Sequence, residues 1–135
     1  MKILVVDDSK LQQQIVQRLL LKAGHEVVLA ADGEEGLRSV RQNSPDVILL
    51  DMMLPRLDGL GVLEALKKDP KTASIPVIVM TGLSQRNEEK LKSAGAASFY
   101  QKSELGVEKG GAALVGLVAR IYSEFGKPRS RSVSN

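Results

Sequence analysis

The chain has 135 residues, 43% hydrophobic and 26% charged, which is the size and balance of one folded domain without room for a separate reader domain. It holds no cysteine and one histidine, His25, so a disulfide framework, thiolate zinc sites and histidine-rich metal centres are excluded. The net charge of +3 belongs to residues 127–135, where Lys127, Arg129 and Arg131 stand without an acid; taking these three from 19 leaves 16 basic against 16 acidic residues in the body.

Residues 2–6 (KILVV) are a short apolar, β-branched run, expected for a strand covered on both faces. A helix over 9–23 follows, with Ser9 as N-cap, Gly24 as stop, and Leu11 and Ile15 expected to face the core. The unit then repeats. Strand 25–31 precedes helix 33–43, strand 46–50 precedes helix 59–68, and strand 75–80 precedes helix 84–94. Strand 96–101 and a helix over 110–125 close the series. Such alternation predicts right-handed βαβ crossovers and an α/β, flavodoxin-like doubly wound parallel sheet in the order 2-1-3-4-5. The predicted domain covers 1–125, and 126–135 reads as a flexible basic tail. No run is long and apolar enough for a membrane span, and Met1 leads straight into a strand, so a soluble cytoplasmic protein is expected. Four aromatic residues in all argue against a stacking platform for nucleic acid.

Open parallel sheets bind ligands beyond the carboxyl ends of their strands. Strand one ends in Asp7–Asp8, strand three in Asp51, strand four in Thr81 and strand five in Lys102. With strands one and three adjacent, three carboxylates gather, and their mutual repulsion calls for a cation. Hard oxygen donors point to Mg²⁺ or Mn²⁺. Few carboxylates leave room for a phosphoryl group, with Lys102 and Thr81 placed to meet its oxygens. A carboxylate can also be the nucleophile, and Asp51 stands alone at its strand end.

The segments KILVVDDS, DVILLDMMLPRLDG, VIVMTG and FYQK together resemble the receiver domain of two-component response regulators, in the right order and spacing. The resemblance implies that Asp51 accepts phosphate from a sensor histidine kinase or a histidine phosphotransfer protein. It implies Mg²⁺ bound through Asp7, Asp8, Asp51 and the main-chain carbonyl of Met53. Thr81 then matches the switch hydroxyl, Lys102 the phosphoryl-binding lysine, Gly82 the small residue beside the phosphoryl group, and Phe99 the switch aromatic. Pro55 and Asp58–Gly59 match the loop into the third helix. A downstream effector protein is implied, with no direct nucleic-acid or membrane binding and no turnover enzyme beyond self-phosphorylation and self-dephosphorylation. Two departures stand out: Ser103 follows Lys102 where the family carries proline, and residues 103–111 are long and glycine-rich. Both bear on the output face rather than on the acceptor.

Other readings compete. Asp7–Asp8 could be a helix N-terminus, Thr81 a cap and Lys102 a surface charge, but four coincidences at neighbouring strand ends favour one site. A dehalogenase-like phosphatase needs a carboxylate two residues after its nucleophile, and Met53 is there instead. A receiver-like interaction module that never accepts phosphate, and a receiver within a longer regulator, are the remaining alternatives. His25 reads as a partly exposed spacer, Tyr100 as an alternative exposed aromatic, and Gln12–Gln14 as an exposed helix face beside the acids.

Overall fold

The computed structural model describes residues 1–54, 57–82, 88–106 and 110–125. Pro55, the first residues of the helix expected from 84, part of the 103–111 connection, and the basic tail lie outside the described residues. The order is β1 (Lys2–Val6), α1 (Lys10–Lys22), β2 (Glu26–Ala30), α2 (Gly33–Asn43), β3 (Val47–Asp51), α3 (Gly59–Lys68), β4 (Val77–Thr81), α4 (Glu88–Ser93), β5 (Ser98–Gln101), and α5 (Gly110–Phe125). A 3₁₀ turn, Lys102–Gly106, follows β5 directly. All strand pairs are parallel, in the order β2-β1-β3-β4-β5. This is the flavodoxin-like arrangement expected from the alternating pattern.

Alternation of side chains along each strand divides the core in two. Leu4, Val6, Ile48, Leu50, Val77 and Val79 face α2, α3 and α4 through Val40, Leu63, Leu66 and Leu91. Ile3, Val5, Val47, Leu49, Ile78 and Met80 face α1 and α5 through Val16, Leu20, Leu114, Val118 and Ile121. Strands β3 and β4 are buried along their whole length, which is why both read as unbroken apolar runs.

One expectation fails on α1. Leu11 is 67% exposed and Ile15 37%, whereas Val16 and Leu20 are fully buried. At about 100° per residue, Leu11 lies roughly 140° around the helix from Val16, so both cannot meet the sheet. The helix has two apolar stripes, and the more continuous one, Val16–Leu20 flanked by Leu19, wins the core.

Lys67 fastens the far end of the sheet. Its Nζ donates to the carbonyls of Ala73 and Ile75, each at 2.9 Å, and burial pulls its amine below the ordinary lysine value. Lys67→Met leaves two carbonyls unserved and is expected to cost about 1–3 kcal/mol, measured by urea unfolding. A loss indistinguishable from zero would mean that water replaces the ammonium freely.

Candidate functional site

Register brings the strand-end residues together. Val6 pairs with Leu50 across β1 and β3, so Asp7 and Asp51 are neighbours one step on. Asp51 lies opposite Met80, and Thr81 opposite Gln101, the residue before Lys102. Asp7, Asp51 and Thr81 are 0%, 1% and 5% exposed, and Asp8 is exposed at the rim. One carboxylate oxygen from each of the three acids lies within 4.8 Å of the others, the only such cluster among the described residues.

Local caps hold this geometry. Ser9 caps α1 by accepting from the Gln12 N–H at 3.3 Å, and its own N–H donates to Asp7 Oδ1 at 2.9 Å. Asp58 caps α3 by accepting from the Gly61 N–H at 2.9 Å. Gly59 is required by close approach: a Cβ there would sit 2.6 Å from the Asp51 carbonyl oxygen and 2.7 Å from Met52 Cα. Any larger residue would push α3 off the end of β3. Gln13 ties the turn down further, donating to the carbonyls of Asp7 at 2.6 Å and Ala30 at 3.1 Å. The sequence alone marks Gln13 only as part of an exposed helix face. The available signal is a long amide side chain one turn into a helix that starts just beyond a strand end.

Oxygen by oxygen, the pocket is unevenly satisfied. Asp51 Oδ1 accepts from the Met53 N–H at 3.0 Å, and Oδ2 accepts from Lys102 Nζ at 2.8 Å. Asp7 Oδ2 and Thr81 Oγ1 are buried with no partner, as is Gln12 Oε1. Burial pushes the Asp7 carboxyl up to about 6, with the Asp51 charge adding to the rise and the Ser9 hydrogen bond and Lys102 opposing it. A buried unpaired carboxylate oxygen among three acids is the environment that a hard divalent cation satisfies, and an all-oxygen donor set suits Mg²⁺ or Mn²⁺. The unpaired Thr81 hydroxyl, on the Lys102 side, is a donor waiting for an acceptor.

The remaining expected residues are also placed. A Cβ on Gly82 would meet nothing within 4 Å, so open space adjoins the end of β4. Phe99 is half-buried and packs against the core that faces α2–α4. Tyr100, expected as an exposed aromatic, is instead 6% exposed in the opposite core, because it points to the other side of β5. Burial, with Glu104 nearby, raises its phenol. Ser103 lies inside the 3₁₀ turn, and no described peptide bond is cis. His25 sits between α1 and β2, its Nδ1 3.3 Å from the terminal amine of Met1 and remote in the fold from the acids.

Fold and site define a doubly wound α/β domain with a carboxylate cluster at its topological switch point, next to an ion-paired lysine. The chain belongs to the response regulator receiver domain family of two-component systems, whose model matches residues 3–107. It is similar to Protein PilH of Pseudomonas aeruginosa, 37% identical over 102 residues, covering 75% of this chain and 84% of that one. It is also similar to the Gliding motility regulatory protein of Myxococcus xanthus, 39% identical over 109 residues, but these are 80% of this chain and only 14% of that much longer relative. Among solved structures, the Mn²⁺-bound form of response regulator Rcp1 superposes with a TM-score of 0.75 at 28% identity, covering 86% of this chain and 90% of that one.

Proposed function

We propose that the chain is a phosphoacceptor switch in which Asp51 takes a phosphoryl group from a phosphohistidine donor and the change is relayed to a partner protein. The observation that carries this is the pairing of a buried Asp51 with Lys102 beside the unpaired Asp7 Oδ2 and Thr81 Oγ1. A site built only for stability would not leave two buried polar atoms unserved.

Asp8, Asp51 and the Met53 carbonyl would hold Mg²⁺, with Asp7 acting largely through water; the Mn²⁺-bound relative supports a divalent metal here. The ion would supply positive charge to the phosphoryl oxygens during transfer. An Asp51 carboxylate oxygen attacks phosphorus as the bond to the donor histidine nitrogen breaks, and that nitrogen keeps the electron pair. Lys102 exchanges its Asp51 contact for a phosphoryl oxygen, and Thr81 donates its hydroxyl to another. Movement of Thr81, with Gly82 leaving room and Phe99 following, biases the β4–α4 and β5–α5 region for an effector. The domain would span 1–125 with a basic tail behind it, acting in the cytoplasm without binding nucleic acid or membrane. Self-phosphorylation from small acyl phosphates and self-dephosphorylation belong to this reading.

Incubation with acetyl phosphate and Mg²⁺, followed by intact mass, tests it. One added phosphoryl group is expected, absent without the metal and absent in Asp51→Asn. An adduct that survives Asp51→Asn would sink the assignment.

The exposed Leu11 and Ile15, at the start of the helix that follows the two acids, supply an apolar surface for a protein donor. Leu11→Asp is expected to slow transfer from a phosphorylated donor protein about tenfold or more, the cost of one lost apolar contact plus an unpaired charge. Loading from acetyl phosphate should hardly change. Equal slowing with both donors would place Leu11 in the chemistry rather than in docking.

A further inference from the structure

An oxidisable residue stands two positions after Asp51, just past the end of β3. Met53 is 74% exposed, and its backbone N–H is held by Asp51 Oδ1 at 3.0 Å. The other methionines are shielded. Met80 is 0% exposed in the core, Met52 is half-buried against the core facing α2–α4, and Met1 is half-buried against the opposite one. With no cysteine in the chain, Met53 is the sulfur most open to an oxidant.

We propose that Met53 is a redox-modification site, and that its oxidation by hydrogen peroxide slows phosphoryl loading of Asp51; the second half rests on the phosphoacceptor reading. The thioether sulfur attacks one peroxide oxygen with its lone pair and the O–O bond breaks. That oxygen stays on sulfur as the sulfoxide, and the other leaves as water. Sulfur is oxidised by two electrons and peroxide reduced by two. The product carries a polar S–O dipole, negative at oxygen, where an apolar side chain stood. Its backbone is tied to the acceptor, beside three carboxylates, so an incoming phosphoryl dianion meets further negative potential. A protein donor also loses apolar surface at the point of approach.

The experiment treats the full chain with hydrogen peroxide, maps oxidised peptides by mass spectrometry, and measures the rate of loading from acetyl phosphate with Mg²⁺. The first oxygen is expected on Met53, ahead of Met1, Met52 and Met80. Loading by the singly oxidised chain should fall several-fold and recover after methionine sulfoxide reductase. Met53→Leu, compared with its own untreated rate, should show no peroxide effect. First oxidation at another methionine, an unchanged rate in the singly oxidised chain, or equal slowing of Met53→Leu would each overturn the proposal. If the untreated chain never loads, the phosphoacceptor reading fails and takes the rate effect with it, while the oxidation map still decides whether Met53 is the modified residue.

Discussion

With Lys102 changed to methionine, the chain is expected to lose about 3–5 kcal/mol near neutral pH, read from urea unfolding. Lys102 Nζ donates to Asp51 Oδ2 at 2.8 Å, with the two side chains 18% and 1% exposed. Removing the cation leaves Asp51 buried beside Asp7 without its ion-pair partner. The exposed pair Arg120–Glu124, 3.5 Å apart at a spacing of i,i+4, supplies the contrast, since breaking it should cost no more than about 0.5 kcal/mol. The Lys102 effect should shrink as pH falls through about 6, where Asp7 gains its proton. A Lys102→Met chain as stable as its parent at neutral pH would mean that water reaches Asp51 freely.

Replacing Asp7 by asparagine should have the opposite sign. Its carboxyl is raised in the folded chain from 3.8 to about 6. Below the lower value both states are protonated and the group contributes nothing. Between the two values the unfolded chain ionises while the folded chain keeps its proton, so stability falls as pH rises. Above about 6 the full penalty applies, about 3 kcal/mol for a shift of this size. In the presence of a chelator the parent should therefore lose stability between about pH 4 and pH 6, and Asp7→Asn should remove most of that slope. At neutral pH the variant should be more stable than the parent by about 2–3 kcal/mol. Added Mg²⁺ should stabilise the parent more than the variant, which keeps Asp8 and Asp51 but no longer carries the buried Asp7 charge that the cation offsets. A parent with a flat pH profile and no response to Mg²⁺ would contradict the reading of Asp7.

Much of this arrangement was legible in the sequence, for identifiable reasons. Buried strands such as VILLD and VIVMT carry no polar interruption, and each polar residue at a strand end marks the rim where a parallel sheet binds ligands. The order 2-1-3-4-5 then makes neighbours of Asp7 and Asp51. What the sequence concealed depends on rotation and reach. The turn of α1 about its own axis decides that Val16, and not Leu11 or Ile15, meets the sheet. One step of alternation on β5 puts Phe99 and Tyr100 on opposite faces. Gln13 and Lys67 act through long side chains on carbonyls 6 to 17 residues away, and the sequence shows their reach but not their partners. The unpaired state of Asp7 Oδ2 and Thr81 Oγ1 likewise follows from three-dimensional closure around the crevice.

A phosphoryl group entering this crevice is expected to bond to one carboxylate. Reduction with borohydride after acetyl phosphate and Mg²⁺ treatment converts an aspartyl phosphate to homoserine, which peptide mass spectrometry can locate. Homoserine at position 51 alone, and only when Mg²⁺ was present, is the predicted result. Homoserine at position 7 or 8, or none in a chain shown to be folded, would contradict it.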